Sequence, residues 1–340
     1  MIKVAVVILN WNGREHLDKF LPSVIKYSVN STTEIYVADN NSDDDSVSLI
    51  KNKYPGIKLI LFDRNYGFAQ GYVKALEQIK SEYFVLLNSD VMVTSNWLSI
   101  VELMEKDNSI AACMPKIKSY ANNDYFEYAG AAGGFIDKLG YTFCRGRILN
   151  NIEKDTGQYN DPIEVFWASG ACMFLRSEAY FKAGGLDKDF FAHMEEIDLC
   201  WRLKKLNYKI ICYPDVTVYH VGGGTLPNNT PRKLYFNYRN NLFLLYKNLP
   251  DNIFFKTIII RLCLDILSAF VYLFNLSISF SFSVIKAHFS FYRSLKKLKR
   301  KRKEIKNESE LNNLNQIYNK SILFNFFVRR NKCFSQLDFY

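Results

Sequence analysis

The sequence predicts an α/β fold, a mainly parallel sheet with helices on both faces, and three observations carry that reading. Short apolar runs alternate with helix-length amphipathic segments from residue 4 to residue 114. Two of the apolar runs end in polar clusters, Asp39-Asn40-Asn41 and Asn88-Ser89-Asp90, at the carboxyl ends of strands where open α/β sheets bind ligands. A third feature lies at 190 to 202, where Glu195, Glu196 and Asp198 crowd into four positions among apolar and aromatic neighbours.

In chain order, residues 4 to 9 read as a buried strand, and Asn12-Gly13 turns the chain into a helix patterned by Leu17, Leu21 and Val24. Ile35 to Ala38 is the next strand, Ser42 is placed to cap a helix with an acidic first turn, and Ile57 to Phe62 is a strand again. A helix over 67 to 80, a strand over 83 to 87, a helix over 96 to 105 and a strand over 110 to 114 complete the alternation. No G-x-G-x-x-G follows the first strand, which argues against a dinucleotide fold. From about 119 to 165 the pattern is irregular and glycine-rich, reads as loops and short strands, and no chemistry is placed there. Regularity returns with a turn and apolar strand over 165 to 175, the acidic helix, and strands over 208 to 213 and 216 to 220.

On a helix starting near Met194, Glu195, Asp198 and Arg202 share a side, whereas Glu196 lies about a quarter-turn away and is free to face a cleft. Leu199, Leu203 and Leu206 would seat that helix, and Asp198 with Arg202 has the spacing of a carboxylate held by a guanidinium. The alternative is an ordinary acidic helix start, favoured by the macrodipole.

The chain has 340 residues, enough for about two domains, and 49% hydrophobic with 23% charged residues is a globular composition. Seven cysteines without a C-x-x-C pattern signal neither a disulfide framework nor a zinc site, so a reducing compartment is the simpler home. The first apolar run is too short for a secretory signal. Net charge is +10, but residues 286 to 306 hold ten Lys/Arg against one Glu, an excess of +9. That basic run follows an apolar stretch over 262 to 285, interrupted by polar residues, so helices lying in a membrane interface are expected over a true span. Anionic headgroups then become the expected partner of the basic run, and nucleic acid is not.

Several blocks resemble family 2 glycosyltransferases. They are Val-Val-Ile-Leu-Asn-Trp-Asn-Gly at 6 to 13, Val-Ala-Asp-Asn-Asn-Ser at 37 to 42, Asn-Tyr-Gly-Phe-Ala at 65 to 69 and Leu-Leu-Asn-Ser-Asp at 86 to 90. Ser-Gly-Ala at 169 to 171, Glu-Glu-Ile-Asp-Leu-Cys-Trp-Arg and Tyr-His-Val-Gly-Gly at 219 to 223 continue the family order. The nearest likeness is to the rhamnosyltransferase-like branch that builds bacterial surface polysaccharides.

The resemblance implies a GT-A, Rossmann-like domain over 1 to 250, an apolar and basic membrane-associating segment over 251 to 306, and a tail over 307 to 340. It implies inverting transfer from a nucleotide-sugar donor to a lipid-linked saccharide acceptor, at the cytoplasmic face of the cell membrane. Asp39 is implied to hold the base or ribose, with Asn10, Asn40, Asn65 and Asn88 in the nucleotide pocket. Asp90 and His220 are implied to hold a divalent metal, Mn or Mg, the imidazole tilting the choice to manganese. The first carboxylate of the family's Asp-x-Asp is Asn88 here. Glu196 falls on the family's base, Glu195 would position sugar hydroxyls, and Asp198 with Arg202 is structural support. Trp167, Ser169 and Gly170 are implied donor-sugar or acceptor contacts, with core packing the alternative for Trp167. Arg239 and Asn240 lie in a stretch typical of the branch, either touching phosphate or on a helix surface, and Thr225 with nearby glycines would approach phosphate. A catalytically inactive membrane scaffold or a nucleotide-binding regulatory module are the competing functions.

Overall fold

A computed structural model describes residues 2–28, 30–222, 230–306 and 316–339. The alternation read from the sequence appears as β1 (Ile2–Asn10), α1 (Arg14–Ser28), β2 (Thr33–Asp39), α2 (Ser46–Lys53), β3 (Lys58–Leu61), α3 (Gly67–Leu76) and β4 (Ser81–Asn88). The short β5 (Val91–Met92) leads to α4 (Ile100–Lys106) and β6 (Ile110–Ser119). Continuous apolar runs make the inner strands: Ala5 to Val7 and Phe84 to Leu87 have no exposed surface, as expected of strands covered on both faces.

Beyond β6 come β7 (Gly134–Asp137), β8 (Thr142–Cys144), β9 (Arg147–Ile148), β10 (Asn151–Ile152), β11 (Ile163–Glu164), β12 (Cys172–Arg176), α5 (Ser177–Lys182), α6 (Glu195–Lys205) and β13 (Lys209–His220). The main sheet runs β11-β13-β6-β12-β4-β1-β2-β3, with β5 paired to β13. The pairs among β4, β1, β2 and β3 are parallel, as is β6 with β13, but β12 lies antiparallel between β4 and β6.

Two expectations change here, and a third gains detail. Residues 208 to 213 and 216 to 220 form one strand, because the chain absorbs Pro214 and its neighbours as a register shift against β6 instead of turning. Ser42 caps no helix: its hydroxyl is taken by Asp39, and α2 starts four residues later. The irregular stretch contains a second sheet, ordered β10-β9-β8-β7-β14, whose last strand comes from the C-terminus.

The remaining elements are α7 (Pro231–Asn248), α8 (Asp251–Phe274), α9 (Ile278–Lys306), β14 (Ile317–Tyr318) and α10 (Ile322–Phe327). Thr230 caps α7, accepting from the Lys233 N–H, and Pro231 sits in the first turn where its missing N–H costs nothing. Helices α8 and α9 form an antiparallel hairpin: Arg302 meets Asp251 at one end, His288 meets Asp265 midway at 3.3 Å, and the Tyr272 and Phe280 rings meet beside the turn. Arg261, 3.2 Å from Asp265, also donates to the Leu139 carbonyl. Both helices pack on α7 through bonds such as Tyr235 to Ser290 and Tyr238 to Ser268.

Residues 316–339 are built into the body. β14 lies parallel to β7, the Ile322 N–H donates to buried Asp137 at 2.8 Å, and Phe334 and Phe339 pack against Phe135 and Phe143. Truncation after residue 306 is therefore expected to lower the melting temperature by roughly 5–10 °C, since aromatic side chains worth about 1.5–3 kcal/mol each lose their cover. Scanning fluorimetry of the two chains checks this, and equal melting temperatures would mean the tail contributes nothing to the fold.

Candidate active site

The carboxyl ends of β1, β2, β4 and β13 meet at one cleft of about 410 Å³. At the β1/β2 end, the Asn10 amide donates to Asp39 at 2.9 Å and to the Ser42 hydroxyl at 3.1 Å. Ser42 in turn donates to Asp39 from both its hydroxyl and its N–H, at 2.6 and 2.9 Å. Asp39 thus shapes this turn and stands behind the cleft lining, while Asn10 is part of it. Next to it, Asn40 donates to Asn65 and to the Gly67 carbonyl, both at 3.1 Å, and accepts from the Tyr66 N–H. Gly67 has φ of +73°, and a Cβ there would stand 2.6 Å from the Phe191 ring, so glycine is required where α3 begins.

At the β4/β13 end, Asp90 Oδ1 lies 3.1 Å from His220 Nε2, and Oδ2 accepts from the Gly222 N–H at 3.2 Å. The other imidazole nitrogen lies 3.4 Å from the buried Glu127 carboxylate. Burial opposes charge on this imidazole, but Asp90 and Glu127 outweigh it and raise His220 to about 10. Burial likewise opposes the Asp90 charge, yet His220 holds that carboxyl below its usual range. Among the described residues no three His, Cys, Asp or Glu side chains form a metal cluster. Asp90 and His220 nonetheless fit a divalent cation that completes its shell with diphosphate oxygens, and Glu127 behind the ring is placed to orient it. Glu127 was invisible to sequence reasoning because it lies in the irregular stretch. Thr225, Gly223 and Gly224 lie outside the described residues.

The acids come from α6. Its first residue follows a loop in which Phe191, His193 and Met194 all have positive φ, at 66°, 69° and 72°. Side chains from α7 hold that loop: Asn240 donates to the carbonyls of Phe190, Ala192 and His193 at 2.9, 2.8 and 2.7 Å, and Arg239 donates to those of Asp189 and Phe190. Arg239 and Asn240 therefore brace the loop, and neither lines the cleft.

Asp198 is fully buried and accepts from Arg202 at 3.0 Å, Lys247 at 2.8 Å and Asn248 at 2.8 Å, so it supports the helix. Although burial opposes it, Lys247 and Arg202 hold that carboxyl below the usual range.

Both Glu195 and Glu196 line the cleft, where helical spacing alone set only Glu196 apart to face it. In each, Oε2 is buried with no hydrogen-bond partner among the described residues. Burial, then the neighbouring Glu196 and Asp198, push Glu195 well up, while burial raises Glu196 to about 7. Burial and their mutual repulsion thus disfavour charge on this pair of carboxyls.

Ser169 and Gly170 line the cleft, and the site for a Cβ on Gly170 is 3.9 Å from Glu196 Cβ. Trp167 is not in the lining. Its N–H donates to the Phe135 carbonyl at 2.9 Å and its ring covers Gly134, so its packing role corrects the expected sugar contact. Asn88 and Asn65 line the cleft as expected. Phe68, His193, Arg232 and Lys233 join it without having been singled out, since nothing in their local sequence says that α3, the loop and α7 converge.

With this geometry in hand, comparison with known proteins adds the following. The model of "Glycosyl transferase family 2" matches residues 5–182. N-acetylglucosaminyl-diphospho-decaprenol L-rhamnosyltransferase of Mycobacterium tuberculosis is 23% identical over 234 residues, 63% of this chain and 75% of that protein. Rhamnosyltransferase WbbL of Escherichia coli is 22% identical over 226 residues, 64% of this chain and 83% of that one. Among solved structures, the mannosyltransferase PcManGT of Pyrobaculum calidifontis, in complex with GDP-Man and Mn2+, aligns with a TM-score of 0.52 at 13% identity. That alignment covers 85% of this chain and 87% of that one, and shows the GT-A fold.

The raised Glu196 carboxyl yields a stability prediction. Its folded value, about 7, exceeds the ordinary 4.5, so its contribution is whole below about pH 4.5 and is lost as pH rises through about 7. Glu196→Gln removes that loss. Its melting temperature should match wild type at pH 4.5 and exceed it by roughly 2–5 °C at pH 8; a gap that is the same at both pH values would mean Glu196 titrates normally.

Proposed function

The chain belongs to glycosyl transferase family 2, and on that footing we propose that its cleft moves a sugar, with inversion, from a nucleoside diphosphate to a hydroxyl of a lipid-linked saccharide during assembly of a bacterial surface polysaccharide. It is a nucleotide-sugar-dependent glycosyltransferase. The observation that carries the mechanistic reading is that the unpartnered Oε2 atoms of Glu195 and Glu196 line the same cavity as Asp90 and His220. A buried acceptor without a partner costs about 1–3 kcal/mol, a cost that a substrate hydroxyl would relieve.

In this reading Asn10, Asn40 and Asn65 face the nucleotide, and Asp39 keeps their turn in place. Asp90 and His220 would hold a divalent cation, manganese or magnesium, which when bound supplies charge to neutralise the departing diphosphate. Glu196 takes the proton of the acceptor hydroxyl, for which a carboxyl near 7 is better matched than an ordinary one. Glu195, beside it in the lining, positions sugar hydroxyls. One carboxylate base and one leaving-group site suit a single displacement, hence inversion.

The lipid-linked acceptor is supported by the diphospho-decaprenol in the name of the mycobacterial relative and by the apolar surface of the α8–α9 hairpin. Helix α8 is long and apolar enough to cross a membrane. Its buried Arg261 is, however, bonded to the Leu139 carbonyl of the protein body, and its buried Asp265 pairs with His288 within the hairpin, which favours a hairpin lying in the interface of the cytoplasmic leaflet. Phe274, Leu276 and Phe282, at 83%, 86% and 69% exposure, cluster at its turn. The basic run is divided: Lys297, Lys301 and Arg302 pair with Asp189, Asp187 and Asp251, while Lys296, Lys299 and Lys303 are exposed and available to anionic lipid.

Two measurements test this reading. Glu196→Gln should lose ~10²-fold or more in turnover with nucleotide-sugar affinity near wild type, whereas Glu195→Gln should weaken donor binding; EDTA or Asp90→Ala should remove transfer. Full transfer by the Glu196 variant, or in excess EDTA, would sink the assignment. For the membrane, joint Phe274→Asp and Phe282→Asp substitution should reduce co-sedimentation with phosphatidylglycerol vesicles at least ~10-fold, and undiminished pelleting would place the anchor elsewhere.

A further inference from the structure

Beside the cleft runs a second concavity, between α7 and α9, lined by Pro231, Arg232, Tyr235, Phe236, Ser283 and Lys286. It shares Arg232 with the catalytic cleft, so the two are neighbours. Its two cations are each set over an aromatic ring, Arg232 at 5.9 Å from Phe191 and Lys286 at 5.4 Å from Tyr235. Neither has a carboxylate within ion-pair distance among the described residues, in contrast to Lys297, Lys301 and Arg302 further along α9. Lys286 also stands between Phe282 and Phe289 on one face of α9, four and three residues away, and these rings are 69% and 66% exposed.

We propose that this groove binds the diphosphate of the lipid-linked acceptor, with Arg232 and Lys286 as its cationic partners and the prenyl chain leaving over Phe282 and Phe289. The proposal rests on the lipid-linked acceptor reading above. Two unpaired cations beside apolar rings match a ligand that is doubly anionic at one end and hydrocarbon at the other. A bulk phospholipid headgroup has no reason to be sited against the catalytic cleft, whereas a diphosphate that joins lipid to sugar has to sit one step outside the place where that sugar reacts. Arg232, at the junction, marks the boundary between acceptor sugar and acceptor phosphate.

The test uses the full chain in dodecyl maltoside micelles and measures affinity for undecaprenyl diphosphate, for uncharged undecaprenol, and for UDP, GDP and dTDP with manganese. Lys286→Glu should weaken undecaprenyl diphosphate about 10-fold or more, the scale of one charge-assisted contact. It should leave nucleoside diphosphate affinity and binding to phosphatidylglycerol vesicles within about twofold, and Lys286→Arg should retain the lipid affinity. Three results would each overturn the proposal: unchanged undecaprenyl diphosphate affinity in Lys286→Glu, equal affinity of the wild type for undecaprenol, or an equal loss on phosphatidylglycerol vesicles, which would make Lys286 a general headgroup contact. Failure of the wild type to bind any of the three nucleotides would instead count against the transferase reading, and the lipid comparison would stand apart from it.

Discussion

Lys247 is the cation on which the arrangement of the site depends. It is buried, and its ammonium lies 2.6 Å from Asp187 and 2.8 Å from Asp198. Asp187 precedes the loop that leads into α6, Asp198 belongs to the first turn of α6, and Lys247 comes from the end of α7, so one charge ties three segments. Such a group survives burial only if every charge in it is paired several times, since desolvation of each ion costs several kcal/mol. That condition is met: Asp198 also takes Arg202 and Asn248, and Asp187 also takes Lys301. Removing Lys247 would take a buried cation from Asp187 and Asp198 at once.

Because that network fixes the first turn of α6, the loop before it can hold three residues in the left-handed region. Each would cost roughly 1–3 kcal/mol in a loop without support. The five bonds from Arg239 and Asn240 to loop carbonyls offset that cost and aim α6 so that two carboxyls in succession enter the cleft. Their closeness does electrostatic work: with Asp198 neutralised by its cations, the remaining repulsion falls between Glu195 and Glu196, and a buried adjacent pair cannot readily carry two negative charges. The carboxyl left without a proton is then available as a base. Across the cleft the opposite logic holds, with His220 flanked by two carboxylates and Asp90 kept ionised.

Much of the main sheet was legible because its signal is local. Buried strands read as unbroken apolar runs, and the polar ends of β2 and β4 coincide with the cleft. What was hidden is what depends on distant segments. Ser42 looks like a cap, but Asp39 and Asn10 compete for its hydroxyl from the neighbouring strand ends. Trp167 sits in a block rich in cleft residues, yet its ring packs over Gly134 and its N–H is taken by the Phe135 carbonyl, while Ser169 and Gly170 reach the cleft. Glu127 carries no motif and gains meaning only when β13 brings His220 to it. The C-terminal residues offered too short a strand to recognise, and their place is set by the free edge of β7. Helical spacing correctly joined Asp198 to Arg202, but it could not say that Glu195, on their side of α6, reaches the cleft too.

The charge map teaches the same lesson with a functional consequence. A +9 segment read as one basic surface is in fact sorted along α9 by what faces it. Lys297, Lys301 and Arg302 are turned inward to acids before α6 and at the start of α8, whereas Lys286, a few turns earlier, meets no carboxylate among the described residues and lines the groove beside the cleft. The middle and end of α7 hold the catalytic loop and Asp198, while its length lies along α9. The hairpin is thus not an anchor appended to a finished enzyme. A change that loosens α9 from α7 would release Lys301 from Asp187 and, through Lys247, reach the helix that carries Glu195 and Glu196. The apolar hairpin surface and the placement of Glu195 and Glu196 consequently share one scaffold, set by the packing of α9 on α7.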